Sequence, residues 1–341
     1  MKKVAIAGFG FMGRMHYGEW SKLKDAEVVA VCDANVAQFT AKTVGNKKGA
    51  FSAKLPKRVR AYTDFNEMLA AGGFDIVDIT LPTPCHATLT IQALKAGYHV
   101  MCEKPMALSV KDCDAMLAAA GRAKGTLFVA QCARFSPQYA WLKEAVEDGR
   151  YGKVVAGDFT RFCPAPGWGP GGKSWFLDEA KSGGAAVDMH VHDADMVQYL
   201  FGKPPAVSTR THIRADGLTD HLTTTYLYPD KVVTSDTSWA AAKSLVFDSA
   251  YRVFFEKATV YCGERYKGAM VVYPDSGKPF TPKLGKGTSY GNEIRYFLDL
   301  ILGRRVKKEI VTAKDARNSI ALVLAEKKSA ATGKPVRVTF R

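Results

Sequence analysis

Short apolar segments alternate with helical patterns through the first 134 residues of the chain. Apolar segments without internal alternation are typical of strands whose two faces are both buried. When such strands alternate with helices, they form a parallel sheet that is covered by helices on both faces. The alternation therefore predicts an α/β domain, with strands at 3–10, 27–33, 74–82, 99–105 and 126–133.

Helical patterns fill the intervals between these strands. The predicted helices are 13–23, 34–44, 87–97 and one that begins after Ser109. Ser109 followed by Asp112 in the first turn is a helix-capping signal, and Gly97 is typical of a helix end. Specific residues as well as periodicity therefore support these helices.

A different pattern begins after Arg134. A helix that starts at Ser136 and Pro137 is followed by long segments in which apolar and polar residues alternate. Such alternation is typical of an antiparallel sheet with one solvated face. The chain of 341 residues is also longer than one domain of about 150 residues. We therefore predict two domains, 1–134 and 135–341, the second with a mostly antiparallel open sheet covered by helices.

Composition and charge exclude several classes of protein. Hydrophobic residues make up 47% of the chain, yet no apolar run approaches the roughly 18 residues of a transmembrane helix. The net charge of +15 is spread in short groups without interleaved aromatic residues, so we expect no nucleic-acid partner and no membrane partner. The seven cysteines are scattered, without a C-x-x-C pair, which favours reduced thiols in the cytoplasm.

Three glycines in the order G-x-G-x-x-G follow the first predicted strand. Gly8 permits a tight turn, Gly10 allows the backbone to approach a diphosphate, and Gly13 permits close packing of helix on strand. Phe11 and Met12 lie in the first turn of the predicted helix, whose N–H groups and dipole attract an anion. The pattern predicts a dinucleotide-binding site.

Asp33 ends the second predicted strand, 20 residues after Gly13. A carboxylate in this position accepts hydrogen bonds from the ribose diol of NAD and repels the 2′-phosphate of NADP. Arg14 would soften this preference if it lies near the adenosine end. The predicted cofactor is therefore NAD, with NADP possible. The alternative is a glycine-rich turn without a ligand, in which Asp33 caps a helix.

Candidate site residues follow two of the predicted strands where each strand ends. Glu103 and Lys104 end one strand, and Leu81, Pro82 and His86 follow another. In open α/β sheets, ligands bind beyond the carboxyl ends of the strands. A lysine in this position can donate a hydrogen bond to a substrate oxygen and take part in proton transfer. We therefore expect Glu103 and Lys104 to face the nicotinamide; the alternative is a surface ion pair.

Residues 183–202 form a second candidate site, and their apolar spacing predicts one continuous helix. At about 100° per residue, Asp188, His192 and Asp195 share a narrow stripe, whereas His190 points nearly the opposite way. An aspartate four residues before a histidine can orient the ring and hold its tautomer, as in a general base. Two alternatives remain: a metal site, for which no H-E-x-x-H arrangement is present, and a histidine in a surface ion pair.

Together these residues resemble the Gfo/Idh/MocA family of nicotinamide-dependent oxidoreductases (glucose–fructose oxidoreductase, inositol dehydrogenase, rhizopine catabolism). The resemblance covers nearly the whole chain. The first half is similar to the family's Rossmann domain through G-x-G-x-x-G, P-T-P-C-H from Pro82 and AGYHVMCEKPMALS around Lys104. The second half is similar to its α+β domain through R-F-S-P from Arg134, Y-G-K-V from Tyr151 and the G-G-x-x-x-D-x-x-x-H-x-x-D run from Gly183.

The resemblance implies reversible oxidation of a secondary alcohol on a sugar, inositol or related polyol, with hydride transfer to the nicotinamide. His192 would take the hydroxyl proton, Asp188 would orient His192, and Lys104 would polarise the same oxygen. The implied cofactor contacts are Gly8, Gly10, Phe11, Met12, Gly13, Asp33, Leu81, Pro82, His86, Glu103, Lys104 and Arg134. The implied substrate contacts are Lys104, Trp175, Asp188 and His192. No metal is implied.

Some positions depart from the family's pattern or lie outside its motifs. Thr83 stands where members often have asparagine, and His190 where glycine is common. A bulky His190 would contact the substrate or a neighbouring subunit. The loop at 163–173, with Trp168 and Trp175 near it, would either stack on a sugar ring or pack as ordinary structure.

The resemblance also implies a homodimer or homotetramer that pairs through the outer face of the second-domain sheet. Two other functions stay open. One is an NAD-retaining enzyme that cleaves glycosides through transient oxidation, a known variation on this fold. The other is a non-enzymatic dinucleotide-binding protein.

Overall fold

The computed structural model describes residues 1–40, 55–166, 174–263, 268–306 and 308–341. These residues form two compact units. The first unit comprises Met1–Cys132 and Thr288–Arg317, and the second comprises Ala133–Gly287 and Asn318–Arg341. The sequence assigned everything from residue 135 onward to one domain, so the packing of Thr288–Arg317 with the first unit departs from that expectation.

The first unit is built on a six-stranded parallel sheet. Its strands are β1 (Lys2–Ala7), β2 (Ala26–Cys32), β3 (Arg60–Tyr62), β4 (Ile76–Ile79), β5 (His99–Glu103) and β6 (Leu127–Ala130). Its helices are α1 (Phe11–Trp20), α2 (Phe65–Ala71), α3 (His86–Lys95), α4 (Val110–Ala120) and α8 (Ser289–Ile301). The strand order is β3-β2-β1-β4-β5-β6, with every neighbouring pair parallel. This is the order of the doubly wound dinucleotide-binding fold, and it confirms the predicted Rossmann sheet.

Packing against the buried first sheet explains why α8 belongs to this unit. The last four residues of β1 and all four residues of β4 are buried. On α8, Ile294 and Leu298 are completely buried, and Phe297 stacks on Phe128 of β6 with ring centroids 5.1 Å apart. The apolar face of α8 is therefore covered by packing within the first unit.

Most of the helices and strands predicted for the first unit are present, but they are shorter than predicted. The Ser109 hydroxyl caps α4 by accepting the Asp112 N–H at 3.1 Å. The helix predicted at 34–44 is instead a short 3₁₀ turn at Val36–Phe39, and 41–54 lie outside the described residues. Strand β3 was not predicted because it is largely exposed and carries no apolar run.

The second unit is built on an eight-stranded sheet. Its strands are β7 (Val154–Phe162), β8 (Ala206–Ile213), β9 (Thr219–Tyr226), β10 (Val232–Ser238), β11 (Asp248–Phe255), β12 (Ala258–Cys262), β13 (Met270–Pro274) and β14 (Val336–Arg337). Its helices are α5 (Pro137–Asp148), α6 (Glu179–Ser182), α7 (Val191–Phe201) and most of α9 (Ala313–Thr332). The order is β13-β12-β11-β7-β10-β9-β8-β14, and all pairs are antiparallel except β7 with β10, as the mostly antiparallel prediction requires. Within the described ranges, no helix has the length and apolar content needed to span a bilayer.

The two faces of the second sheet differ in burial. On β11, Tyr251 and Val253 are buried, whereas Arg252 and Phe254 between and after them are exposed. Helix α7 contacts β7 and β10, so it helps to cover the buried face. Residues 227–231 connect β9 to β10, which pair as antiparallel neighbours. The alternation in the sequence thus corresponds to one covered face and one open face.

Candidate active site

The glycine loop connects β1 to α1. Gly8 has a φ of 95°, which other residues rarely adopt, and a Cβ there would lie 2.8 Å from the Leu81 nitrogen. A Cβ on Gly13 would overlap the Gly8 carbonyl oxygen. By contrast, a Cβ on Gly10 would have no neighbouring atom within 4 Å among the residues that the structure describes. Packing therefore requires the first and third glycines, whereas the second lies on an open surface that a diphosphate can approach.

Helix α1 begins at this loop without a capping side chain. Gly10 is the N-cap residue, no side chain caps the helix, and the first turn contains no acidic residue. Phe11 and Met12 occupy that turn and are half-buried. The positive end of the helix dipole is therefore not neutralised by a side chain of the first turn, which suits an anion.

Asp33 lies directly after β2 and is bonded to the glycine loop. Its Oδ2 accepts the Phe9 N–H at 2.8 Å, and its Oδ1 accepts the Asn35 N–H at 2.9 Å. Arg14 is 1% exposed; it packs over the Phe9 ring and donates to the Gln38 carbonyl. Burial lowers the pKa of Arg14, although the Asp33 charge raises it. The fixed carboxylate keeps lone pairs for a ribose diol, so the loop and Asp33 together fit a nicotinamide dinucleotide.

Lys104 follows β5 at the carboxyl edge of the first sheet. It is half-buried, whereas its neighbours Glu103 and Pro105 are buried. The Lys104 N–H donates to Glu103 Oε2 at 2.9 Å, and Glu103 is 4% exposed. Glu103 is therefore buried inside the first unit. The structure places it neither as a direct cofactor contact nor in a surface ion pair, the two roles that the sequence suggested.

His16 of α1 links Glu103 to β4. Its Nδ1 lies 2.9 Å from Asp78 Oδ2, and its Nε2 lies 3.0 Å from Glu103 Oε1. Trp20 Nε1 donates to the same Asp78 oxygen at 2.7 Å. Burial opposes a charge on the ring, but the two carboxylates outweigh it and hold the pKa of His16 well above its usual value. The ring is therefore an imidazolium that donates to both carboxylates.

Glu293 of α8 completes this cluster. It is completely buried, and neither carboxyl oxygen has a hydrogen-bond partner among the described residues. Burial, followed by the Glu103 charge, raises the pKa of Glu293 well above its usual value, so the protonated form of this carboxyl group is favoured. His16, Glu103 and Glu293 each place a possible metal ligand within 4.8 Å of the others. We interpret the cluster as an ion-pair network, because both His16 nitrogens are already engaged by carboxylates.

The raised pKa of Glu293 leads to a prediction about stability and pH. Folding takes up a proton at a carboxyl group whose folded pKa lies above the usual 4.5, so this group costs stability as the pH rises above that value. Glu293→Gln should therefore gain stability relative to the wild type as the pH is raised from 5 to 8, because the amide has no proton to lose. Urea unfolding at pH 5 and pH 8 measures the difference. An equal difference at both pH values would contradict the assignment.

His86 lies at the start of α3, behind Leu81 and Pro82. Leu81 and Pro82 are half-buried at the carboxyl end of β4, where cofactor contacts were predicted. His86 is 1% exposed, with Nδ1 2.8 Å from the Pro105 carbonyl oxygen and Nε2 2.8 Å from the Leu81 carbonyl oxygen. Both ring nitrogens face protein backbone, so the structure does not place His86 as the direct cofactor contact that was predicted.

The segment before α7 in the second unit is not the continuous α-helix that was predicted. Residues Ala185–Met189 form a π-helical turn, in which the His190 N–H donates to the Ala185 carbonyl at 2.8 Å. Gly183 and Gly184 precede it with φ values of 72° and 67°. Side chains on these glycines would overlap neighbouring side chains. The wider turn changes which side chains share a face, and such turns are frequent at functional sites.

Asp188 and His192 are half-buried on a segment whose other residues from 182 to 198 are buried. Burial and the Asp188 charge raise the pKa of the Cys163 thiol to about 11, so Asp188 lies near Cys163. The two predicted members of the dyad are thus the partly exposed polar side chains of this segment.

Asp195 does not share the exposure of Asp188 and His192, although the helical projection placed all three on one stripe. It is completely buried, and its two oxygens accept from Arg134 Nε and Nη2, both at 2.8 Å. Ser319 Oγ donates to the same carboxylate at 2.8 Å. Arg134 was predicted to contact the cofactor, but its guanidinium is 3% exposed and forms this internal ion pair.

His190 is also internal to the second unit. It is completely buried, with Nδ1 2.9 Å from Thr237 Oγ1 and Nε2 2.9 Å from Glu326 Oε2. Burial opposes a charge on the ring, but Glu326 outweighs it and raises the pKa of His190. The hypothesis that His190 contacts substrate or a neighbouring subunit is therefore wrong.

Trp175 lies in a short 3₁₀ turn at Trp175–Leu177 and is half-buried. Its ring stacks on Phe176, with ring centroids 4.0 Å apart. Trp168 and the rest of 167–173 lie outside the described residues. A substrate contact by Trp175 therefore stays a prediction.

Comparison with known proteins agrees with the fold and with the glycine loop. A family model described as an oxidoreductase family with an NAD-binding Rossmann fold matches residues 2–131, and the Gfo/Idh/MocA C-terminal domain model matches 139–261. Myo-inositol 2-dehydrogenase of Thermotoga maritima is 32% identical over 202 residues, 59% of this chain and 55% of that protein. D-glucoside 3-dehydrogenase of Escherichia coli is 32% identical over 213 residues, 62% of this chain and 57% of that protein.

The chain spans about half the length of the curated relatives it matches. A solved structure of levoglucosan dehydrogenase in complex with NADH aligns over 100% of both chains, with a TM-score of 0.83 and 20% identity, which shows the fold alone. The family models confirm the predicted Rossmann fold and NAD as the cofactor. The chain belongs to the Gfo/Idh/MocA family of oxidoreductases.

Proposed function

We propose that this protein is an NAD-dependent dehydrogenase that reversibly oxidises a secondary alcohol of a sugar, an inositol or a related polyol. The observation that carries the proposal is the half-buried Lys104 at the carboxyl edge of an NAD-binding sheet. Support also comes from relatives that are named as dehydrogenases of myo-inositol and of D-glucosides.

In this proposal three side chains take part in the reaction. Lys104 of the first unit donates a hydrogen bond to the substrate hydroxyl and polarises it. His192 of the second unit accepts the hydroxyl proton, and Asp188 orients the imidazole. The bound dinucleotide supplies a hydride acceptor at its nicotinamide ring.

A screen of inositols, hexoses and glycosides with NAD tests this function through NADH fluorescence. Stoichiometric NADH with at least one of these alcohols is the expected result. Glycoside cleavage without net NADH would instead favour the enzyme that oxidises its substrate transiently. Failure of every alcohol, in a protein that binds NADH, would overturn the proposal.

Asp33 should set the preference for NAD over NADP. Asp33→Ser is expected to raise the KM for NAD about tenfold or more, because about 1.5–3 kcal/mol of charged hydrogen bonding to the ribose diol is lost. The kcat/KM with NADP should rise relative to the kcat/KM with NAD, because the carboxylate that repels the 2′-phosphate is gone. The measurement is kcat/KM with both cofactors. Asp75→Ser is the control, since Asp75 accepts the Lys3 N–H at 2.7 Å at the opposite edge of the sheet. An unchanged cofactor ratio in Asp33→Ser would contradict this role.

We also infer that the protein is a homodimer or homotetramer that pairs through the open face of the second sheet. Ala156 of β7 is paired with Val232 of β10 and with Phe254 of β11, which forms an apolar row across three strands. Val232 is 64% exposed and Phe254 is 38% exposed. Such a row is typical of an interaction surface. Light scattering should give at least twice 37.2 kDa, and a particle of 37.2 kDa would contradict the inference.

We place the protein in the cytoplasm. All seven cysteines are free thiols, and burial raises the pKa of most of them. Free thiols are typical of proteins in a reducing compartment.

A further inference from the structure

Two histidines of the first unit join the end of β4 to the residues on either side of Lys104. His16 contacts Asp78 within β4 and Glu103 immediately before the lysine. His86 contacts the carbonyl of Leu81, two residues after β4, and the carbonyl of Pro105 immediately after the lysine. Both rings are at most 1% exposed.

We propose that His16 and His86 are positioning residues for Lys104, which hold its backbone against the end of β4 from both sides. The inference rests on the proposed function, in which Lys104 acts on the substrate hydroxyl. A lysine side chain has four flexible carbons, so its ammonium is placed reproducibly only if the backbone beneath it is fixed. Misplacement of a reacting group by about 1 Å can cost roughly 100-fold in rate.

The His16 bridge acts through Glu103. The Glu103 carboxylate accepts from His16 on one oxygen and from the Lys104 N–H on the other. Asp78 and Glu293 face the same ring and carboxylate from β4 and α8. Without the imidazolium, Glu103 would lie among buried acidic groups and lose one of its two donors. Loss of His16 would therefore displace the Lys104 backbone.

The His86 bridge is direct and depends on protonation. Each of its carbonyl partners can only accept, so both hydrogen bonds form only when both ring nitrogens carry protons. Burial lowers the pKa of His86, with a smaller contribution from the Lys104 charge, while both carbonyls and Glu103 favour the charged ring. Proton loss removes one of the two bonds. The His86 bridge should therefore weaken as the pH rises through a range below the usual 6.5, and above that range the neutral ring donates to one of the two carbonyls. The His16 bridge persists at neutral pH, because the pKa of His16 is raised.

The experiment measures Lys104 without requiring turnover. Competitive acetylation from pH 6 to pH 10, read by peptide mass spectrometry against exposed Lys95, gives the reactivity and apparent titration midpoint of Lys104 in the cofactor-free protein. We expect His86→Gln to change Lys104 reactivity at least threefold. Its kcat should fall about 10- to 100-fold, with NADH Kd and substrate KM within about threefold of the wild type.

His99→Gln is the matched control, because His99 lies at the opposite end of β5 and accepts the Thr126 N–H at 3.1 Å. It should leave Lys104 labelling and kcat unchanged. His16→Gln tests the other bridge, and His86→Asn replaces His86→Gln if that variant does not fold. Folded variants at either bridge with wild-type Lys104 labelling and kcat would overturn the inference. If no alcohol is oxidised by the wild type, the proposed function fails, but the labelling still tests the positioning of Lys104.

Discussion

Lys104→Met is expected to lower kcat for polyol oxidation by about 10³-fold, within the range of about 10²–10⁴ for a group that assists proton transfer. Methionine retains much of the length and apolar stem of lysine, so packing at this half-buried position should persist while the ammonium is lost. The substrate hydroxyl would then lack the donor that polarises it. Stopped-flow or steady-state measurement of NADH formation gives the loss in rate.

NADH binding separates this loss of chemistry from a loss of cofactor. Fluorescence titration of Lys104→Met should give a Kd within about threefold of the wild type, because the glycine loop and Asp33 are unchanged. Lys95→Met, at an exposed position on α3, is the control for loss of one positive charge. A folded Lys104→Met enzyme with the wild-type kcat would remove Lys104 from the mechanism.

His192→Ala should lower kcat by about 10²–10⁴-fold, since the hydroxyl proton would lose its acceptor. NADH binding should again be retained. Asp188→Asn should have a smaller effect if the aspartate acts by orienting His192. For the same reason, the double variant should be no slower than His192→Ala alone, because residues that act as one unit are not additive. Steady-state kcat and its pH profile measure all three variants.

His212→Ala is the matched control for the loss of an imidazole from the second unit. The His212 side chain is 66% exposed, and its Nδ1 lies 2.7 Å from Asp220. Its removal should leave kcat unchanged. If His192→Ala retains the wild-type rate and pH profile, another group must accept the proton.

The features predicted correctly from sequence depend on residues that are close together in the chain. Gly8 and Gly13 are required by the turn between β1 and α1, and the capping of α4 by Ser109 involves a residue three positions away. The strands of the first sheet are predictable because burial on both faces requires continuous apolar residues. Lys104 was identifiable as a candidate site residue because it lies at the carboxyl end of a predicted strand.

The helix predicted at 183–202 shows where periodicity failed. A projection at 3.6 residues per turn assumes one hydrogen-bond pattern throughout, whereas the turn at Ala185–Met189 is π-helical. Asp195, placed by the projection beside Asp188 and His192, is instead buried against Arg134. The pair of glycines at 183–184 was visible in the sequence, but their positive φ values were not.

His16 and Glu293 were missed as parts of the site because nothing in their local sequence distinguishes them. They lie far apart in the chain, on α1 and α8, and only packing of α8 with the first unit brings them to Glu103. Their raised pKa values follow from burial and from neighbouring carboxylates, which are properties of the folded protein.

The sequence alone determined the parallel sheet, the glycine loop with Asp33 and the position of Lys104 at a strand end, because local periodicity and chain neighbours specify them. Only the tertiary structure decided that His86, Glu103, Arg134 and His190 face the protein interior and that α8 belongs with the first unit. The physical reason is that the partners of these side chains come from other elements, and a pattern along one segment carries no information about which distant groups will surround it in the folded state.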